Sequence, residues 1–350
     1  MEKYLGLVFS NGQQWNNIRR FTLRHLRDLG MGKSKMVSAI QYEATELIME
    51  FDDLIIKIQD SLSMLMLIDF FPWLKTILPE PVLHYLTNRK LQVNSANVLK
   101  KIIQDRIDEH VETLDVNNPR DFFDDYLIEM EKQKSNPEST MSIRDLIGTT
   151  ADLFGAGYVT TATAINFSIF YMCKFPHVQK RLRKEVDEVL GNNQAILDDK
   201  AKLPYTEAFI TESLRFANQT QFSIPRTVTN DTKLGGYTIP KDSIILPTVE
   251  EMHSDSKYFD SPKEFRPERF LNDDGKFEPP KIGFLPFGTG RRQCIGESLS
   301  RMELLIFLTT LVQHLEFSVP KGETLDITAR DFVFFNAPRL EQNILITERS

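Results

Sequence analysis

The chain has only two cysteines, Cys173 and Cys294, among its 350 residues. So few cysteines argue against a disulfide framework, and Cys173 lies in an apolar helical stretch, so we expect free thiols and a reducing compartment. An excess of positive charge is also missing, since 42 Lys and Arg stand against 49 Asp and Glu, for a formal net charge of -7. A protein that tracks nucleic-acid phosphates needs a basic excess, and the sequence therefore argues against general nucleic-acid binding.

Longer-range features are scarce as well. The sequence shows no internal repeat, no low-complexity linker, no secretory signal and no apolar run of about 18 residues that would span a bilayer. With 41% hydrophobic and 26% charged residues, the composition predicts a globule with a large core. We therefore expect a single domain over residues 1–350.

Helical periodicity is what the sequence does have. Apolar residues recur at helical spacing over 13–29, over 35–68 in patches, and over 81–110, 142–173 and 177–190. A short β-hairpin is predicted over 234–246, and the Pro, Asp and Gly residues of 261–286 indicate an irregular loop. The predicted fold is mainly α, a helical bundle with one long central helix and small β-sheets.

The helix predicted over 142–173 is the clearest, with Ser142 and Asp145 at capping-box spacing. Its interior contains Gly155 and Gly157, followed by the hydroxyl pair at 160–161. Small residues in a buried helix can simply allow a neighbour to pack closely. Each glycine costs about 1 kcal/mol relative to alanine, however, so the segment favours a groove in which a ligand lies against the backbone.

The loop over 287–296 reads Phe-Gly-Thr-Gly-Arg-Arg-Gln-Cys-Ile-Gly and places Cys294 just before a helix predicted over 295–313. A lone cysteine is often a small core residue, but this one follows a polar, glycine-containing loop. Backbone N–H groups, the basic pair and the helix N-terminus are all suited to stabilising a thiolate. The pattern therefore indicates a cysteine that binds the iron of a haem.

Five motifs, in order along the chain, resemble the cytochrome P450 haem-thiolate monooxygenases, in particular the microsomal family 2-like branch near arthropod members. They are Trp15 with Arg19, the stretch 156–161, Glu212 with Arg215, the segment 267–270 that contains Arg269, and the cysteine loop 287–296. The resemblance extends over nearly all of the chain.

The resemblance implies a role for each motif. Cys294 is the expected ligand of the iron of haem b, and Thr160 the expected hydroxyl that directs protons to bound dioxygen. Trp15, Arg19, Arg226 and Arg292 are expected to hold the haem propionates, and Ala156, Phe287 and Gly296 to contact the cofactor. Glu212 and Arg215, which would otherwise be taken for an exposed ion pair, are expected to form a buried network with Arg269.

The activity that the resemblance implies is insertion of one oxygen atom from O2 into a C–H or C=C bond of a lipophilic substrate. The expected substrate wall consists of Phe154, Ala156, 221–224 and 334–335. Because the chain has no nucleotide-binding glycine loop or flavin motif, the electrons are expected to come from NADPH through NADPH-cytochrome P450 reductase at the cytoplasmic face of the endoplasmic reticulum membrane. A basic face formed by Arg19, Arg20, Arg24, Arg27, Arg291 and Arg301 suits an acidic partner, although a solvated basic surface has the same composition.

Two departures from the family pattern bear on activity. Val159 stands where most members have an acid before the threonine, which predicts slower oxygen activation. The membrane anchor and first helices expected before Met1 are absent, and a helix is expected to be missing between 46–50 and 51–60. The alternative to an enzyme is therefore a non-catalytic fragment that binds haem or lipid.

Overall fold

Helices make up most of the described protein, as predicted. The computed structural model describes residues 6–33, 36–38, 40–41, 74–86, 89–280, 282–329, 335–339 and 341–349. The helices are α1 (Gly12–Asp28), α2 (Leu74–Ile77), α3 (Glu80–Leu86), α4 (Arg89–Thr113), α5 (Phe122–Lys132), α6 (Ile143–Lys174), α7 (Pro176–Leu190), α8 (Pro204–Ala217), α9 (Val249–His253) and α10 (Glu297–His314). Short 3-10 helices cover Leu197–Lys202, Pro267–Phe270 and Gly290–Arg292.

Helix α6, with 32 residues, begins where the sequence predicted. The Ser142 hydroxyl accepts a hydrogen bond from the backbone N–H of Asp145 at 3.1 Å and donates one to the Asp145 carboxylate at 2.7 Å. The same carboxylate accepts a bond from the buried amide of Gln14 at 2.6 Å. The cap of α6 is therefore also the contact that ties α6 to α1.

The main hydrophobic core lies where the second half of α6 packs against α7, α8 and α10. Phe167, Leu182, Phe209 and Leu304 are each less than 2% exposed in it. Burying a side chain of this size contributes about 1.5 to 3 kcal/mol, so this cluster dominates the stability of the site's framework. A smaller cluster around Tyr126 joins α4, α5 and the first half of α6.

Three two-stranded antiparallel sheets complete the described structure. They pair β1 (Arg226–Thr227) with β4 (Ile244–Ile245), β2 (Thr232–Leu234) with β3 (Tyr237–Ile239), and β5 (Leu315–Ser318) with β6 (Leu345–Glu348). Between β2 and β3, Gly235 and Gly236 have φ values of 56° and 86°, as a tight hairpin turn requires. The predicted hairpin is therefore correct for the turn and wrong for Ile244 and Ile245, which pair with β1.

Other sequence predictions need correction. The helix predicted over 81–110 is two helices, α3 and α4, and α5 was not predicted. The segments 46–50 and 51–60 and Phe334 lie outside the described residues, as does most of the helix predicted over 35–68.

The expectation that no run is apolar enough to span a bilayer is also wrong. By length and composition α6 meets that criterion, with a mean hydropathy of 1.2 over an 18-residue window. Half of that window is buried within the protein, where α6 contacts α4, α7, α8 and α10. A central core helix has this composition because protein surrounds it.

Candidate active site at the Cys294 loop

The loop that carries Cys294 is held by its own backbone. The Cys294 N–H donates to the Phe287 carbonyl at 2.9 Å, and the Gln293 N–H donates to the Gly290 carbonyl at 3.1 Å. Gly288 and Gly290 have φ values of 69° and 74°, which side chains other than glycine rarely adopt. The glycines thus let the loop turn sharply before α10.

The Cys294 sulfur has the donors that the sequence predicted. The backbone N–H groups of Gly296 and Glu297, at the start of α10, donate to the sulfur, and Arg19 adds a favourable positive charge. Burial on the other sides and the Glu297 carboxylate outweigh them, so the pKa of the thiol is raised. The protein alone therefore does not make Cys294 a thiolate, and a bound cation is needed to hold the charge.

A cavity of about 790 Å³ opens beside this loop. Its wall combines apolar side chains with cationic ones and includes the exposed side chain of Cys294. The apolar residues are Leu23, Met31, Leu197, Ile295, Met302 and Leu305, and the cationic ones are Arg19, Arg27, Lys200 and Arg301. Cys294 therefore lines a space bounded by α1, α10 and the 3-10 helix Leu197–Lys202, and among the described residues none of α6 lines it.

The three arginines predicted to bind propionates, Arg19, Arg226 and Arg292, form what we call the arginine cluster. The Arg292 guanidinium lies 3.9 Å from the centre of the Trp15 ring, and that of Arg19 lies 5.5 Å from it. Arg19 donates to the Gln293 carbonyl at 2.7 Å, and Arg292 donates to the Ser10 carbonyl at 2.8 Å.

Burial lowers the pKa of all three guanidiniums of the arginine cluster, and repulsion from Arg226 and Arg19 lowers that of Arg292 further. Within the described residues, no carboxylate pairs with any of them. The cluster is therefore an accumulation of positive charge with no anion supplied by these parts of the protein.

The middle of helix α6 is exposed, whereas the parts before and after it contain buried residues. Phe154 is 61% exposed and Tyr158 is 51% exposed, and their rings stack on each other. Among the described residues, a Cβ added to Gly155 or Gly157 would have no neighbour within 4 Å, so close packing against this part of the protein does not explain these glycines. The Thr160 hydroxyl donates to the Ala156 carbonyl at 2.7 Å, within the same open stretch.

Glu212, Arg215 and Arg269 form what we call the ion-pair network. The Glu212 carboxylate accepts two bonds from Arg215, at 2.7 and 2.8 Å, and one from Arg269 at 3.1 Å. The Arg266 backbone N–H adds a fourth at 2.8 Å. Arg215 is 1% exposed and Glu212 is fully buried, so every charge of the network is removed from water and satisfied.

Several polar side chains near the site were not singled out from the sequence. The Gln219 amide donates to the Thr160 carbonyl at 2.8 Å, and Gln221 donates to the Asn336 side chain. The wall expected at 221–224 is thus partly polar. Four consecutive polar residues after α8, at 218–221, were the signal that sequence reasoning overlooked.

Two carboxylates near the open stretch of α6 were also missed. The Asp152 carboxylate accepts the backbone N–H groups of Leu7 and Val8, at 2.6 and 2.9 Å, and burial raises its pKa. Glu303 on α10 accepts the Thr161 hydroxyl at 3.0 Å, and burial raises its pKa as well. Nothing in their sequence neighbourhood distinguishes them from surface acids.

Comparisons with known proteins identify the family to which the chain is similar. The family model described as Cytochrome P450 matches residues 49–343. Cytochrome P450 2L1 of Panulirus argus is 37% identical over 391 residues, which include 99% of this chain and 79% of that protein. Cytochrome P450 2B4 of Oryctolagus cuniculus is 33% identical over 371 residues, with 95% of this chain and 75% of the relative covered. Cytochrome P450 2C25 of Mesocricetus auratus is 36% identical, with coverage of 90% and 71%.

The match to the Panulirus argus protein is longer than this chain, 391 positions against 350 residues. At least 41 positions of that match therefore have no counterpart here. The family model covers Thr160, the ion-pair network and Cys294, while Trp15 and Arg19 lie before its first matched residue. Since that model matches well over half of the residues and the relatives share more than 30% identity along nearly the whole sequence, the chain belongs to the cytochrome P450 family of haem-thiolate monooxygenases, on its family 2-like branch.

Proposed function

We propose that this chain binds haem b through Cys294 and inserts one oxygen atom from O2 into a lipophilic substrate. The observation that carries the proposal is the exposed residue Cys294, whose sulfur accepts backbone N–H groups from the start of α10. Haem b is the cofactor of the family, whose members also need O2 and a redox partner.

The donor set fits this cofactor. A thiol with two N–H donors suits a thiolate ligand, because those donors delocalise its charge once a metal holds it. The arginine cluster lacks a carboxylate among the described residues, and two propionates would supply the missing negative charge. The exposed stretch of α6 from 154 to 158 provides an apolar surface for a large flat ligand.

When bound, haem supplies the oxygen chemistry, and the protein's residues position and protect it. We propose that Cys294 ligates the iron, that Trp15, Arg19, Arg226 and Arg292 hold the propionates, and that Ala156, Phe287 and Gly296 contact the ring. A Cβ on Gly296 would lie 3.8 Å from the sulfur, an ordinary contact distance, so this glycine is not required to avoid a clash with the sulfur.

Thr160 is the proposed proton-handling group. Its hydroxyl is fixed by the Ala156 carbonyl at 2.7 Å, and it lies in the open part of α6. Val159, its neighbour, has no proton to give, so protons must reach Thr160 from another source and their delivery is expected to be slow.

The substrate wall combines apolar and polar residues. Phe154 and Tyr158 present stacked rings, whereas the amides of Gln219 and Gln221, on the side of the α8 C-terminus, bond within the protein to the Thr160 carbonyl and to the buried Asn336. We infer a substrate that is mainly lipophilic.

Electron supply is proposed to come from NADPH-cytochrome P450 reductase at the cytoplasmic face of the endoplasmic reticulum, with residues 1–350 acting as one domain. Arg27, Lys200 and Arg301 border the cavity beside the Cys294 loop, and Arg24 on α1 is exposed. This concentration of cations on one side suits an acidic partner despite the negative total charge. Raising the ionic strength should therefore slow reduction by the reductase.

The carbon-monoxide difference spectrum of the reduced, haem-loaded chain tests the central claim. Wild type should give the strongly red-shifted Soret band of a thiolate ligand, Cys294→Ala should lose it, and Cys173→Ala, the matched control, should keep it. Haem bound without that band would indicate the non-catalytic haem or lipid binder. A band that persists in Cys294→Ala would refute the proposal.

A further inference from the structure

Residues at the C-terminal end of α8 connect two parts of the proposed haem site, the stretch of α6 that contains Thr160 and the loop that contains Cys294. Four residues, which we call the α8 corner, gather there: Asn218, Gln219, His253 and Asn336. Asn218 follows α8 in the left-handed conformation, with a φ of 42°. The Asn218 side chain therefore bonds to His253, whereas that of the next residue, Gln219, bonds to Thr160 on α6.

His253, the last residue of α9, is completely buried. Its Nδ1 lies 2.6 Å from the Asn218 side-chain oxygen, and its Nε2 lies 3.0 Å from the Leu285 backbone nitrogen. A backbone N–H can only donate, so Nε2 must be the acceptor and the proton of the neutral ring must be on Nδ1. Both ring nitrogens are therefore satisfied in a single tautomer.

The surroundings also oppose a charged ring. The Arg215 guanidinium donates to the His253 carbonyl at 2.8 Å, and the rings of Phe259 and Phe284 contact the imidazole. Burial, with a further contribution from the Arg215 charge, lowers the pKa of His253 to about 4. The acceptor at Nε2 is thus retained at neutral pH.

Leu285 connects this acceptor to the cysteine loop. Its carbonyl accepts the Gly288 N–H at 3.0 Å, and two residues further on the Phe287 carbonyl accepts the Cys294 N–H at 2.9 Å. The bond from Leu285 to His253 therefore fixes the start of the turn that places Cys294.

Gln219 makes the other connection. Its amide reaches the Thr160 carbonyl on α6, at 2.8 Å, and its own carbonyl accepts the Asn336 N–H at 2.8 Å. The Asn336 amide also donates to the Asn218 carbonyl at 2.9 Å. The stretch of α6 that contains Thr160 is thus held by Gln219. The loop that contains Cys294 is held, through His253, by the neighbouring residue Asn218.

We propose that His253 is a positioning residue, which holds the Cys294 loop to the same corner that holds the Thr160 carbonyl. Its Nε2 acceptor sets the position of the sulfur relative to α6, and its Nδ1–H keeps the ring in the tautomer that provides this acceptor. The inference rests on the proposed role of Cys294 as iron ligand, although the tether itself exists without any cofactor.

Two substitutions of His253 distinguish the bond that its Nε2 accepts from Leu285 from the bond that its Nδ1–H makes to Asn218. The amide oxygen of His253→Gln extends about as far as Nε2 and keeps an acceptor for Leu285, whereas that of His253→Asn extends only as far as Nδ1. In the haem-free chain, we expect amide hydrogen exchange at Leu285 to be about tenfold faster in His253→Asn than in wild type and nearly unchanged in His253→Gln. In the haem-loaded chain, the thiolate carbon-monoxide band should diminish in His253→Asn and persist in His253→Gln.

Equal behaviour of the two variants in both measurements would mean that the ring only fills space, and would overturn the proposal. If neither variant folds, nitrogen NMR of the wild-type imidazole decides, because the proposal requires a neutral ring with its proton on Nδ1, and a proton on Nε2 would overturn it. A failure of the proposed function would instead appear as a missing thiolate band in wild type, with Leu285 still protected.

Discussion

The ion-pair network and the arginine cluster contain similar side chains in opposite electrostatic states. In the network, the Glu212 carboxylate accepts bonds from Arg215 and Arg269, and the side chains of all three are at most 5% exposed. In the cluster, Arg19 and Arg226 both repel Arg292, and none of the three has a carboxylate partner among the described residues. Satisfied buried charges support structure, whereas unsatisfied ones indicate a place for a ligand of opposite charge.

The largest effect should come from breaking the network. Glu212→Gln removes the carboxylate and leaves the 1% exposed Arg215 guanidinium without its counter-charge, at a cost of about 3 to 5 kcal/mol in unfolding free energy. Urea denaturation of the haem-free chain measures this loss. Glu109→Gln, which breaks an exposed pair with Arg106, is the control and should change the midpoint little. Equal losses in the two variants would show that the network is not structural.

Acid should destabilise the folded protein through His253, whose carbonyl accepts a bond from Arg215 of the network. The unfolded chain takes up the proton near pH 6.5 and the folded chain only near pH 4, so stability is full above pH 6.5 and declines as the pH falls toward 4. The expected loss is about 3 kcal/mol, measured as the change in unfolding free energy relative to His253→Gln, which has no titrating ring. Parallel pH profiles for the two proteins would contradict the burial of a neutral histidine.

Removing one charge from the arginine cluster should weaken haem binding with little effect on the empty protein. Within the described residues the Arg226 side chain makes no hydrogen bond and lies near the repelling charge of Arg292, so Arg226→Gln should barely change haem-free stability. Losing a charge-assisted bond to a propionate, about 1.5 kcal/mol or more, should speed haem transfer to apomyoglobin about tenfold. Arg106→Gln, at an exposed position of α4, is the matched control. Unchanged transfer in Arg226→Gln would place Arg226 outside the site.

The smallest expected effect comes from adding a carboxylate to the exposed middle of α6, next to Thr160. Val159→Glu restores an acid next to Thr160 and should lower hydrogen-peroxide release per NADPH by a few-fold, because proton delivery becomes faster. Val159→Gln, of similar size and without an acidic proton, is the control. Coupling that stays at the wild-type value in Val159→Glu would show that position 159 does not limit proton delivery.

Sequence reasoning succeeded where a short motif carries its own geometry. Glu212 and Arg215 are one helical turn apart on α8, and Cys294 precedes the first turn of α10, so local spacing predicted that the pair is adjacent and that the cysteine lies before a helix, whereas the burial of the pair was expected only from the family resemblance. It failed for contacts between distant segments. Gln219 with Thr160, and Asp152 with Leu7 and Val8, are 59 and 145 or 144 residues apart along the chain, and no periodicity predicts such pairs.

The sequence by itself determined the family, the mainly α fold and the start of the central helix at Ser142, and it named the residues that we propose hold a haem. The tertiary structure decided which of those residues are satisfied and which are not. Arg215 and Arg226 look alike in the sequence, but only the folded chain places Glu212 against one and repelling cations near the other. The physical reason is that charge, burial and hydrogen-bond satisfaction depend on distances in space, and packing sets those distances.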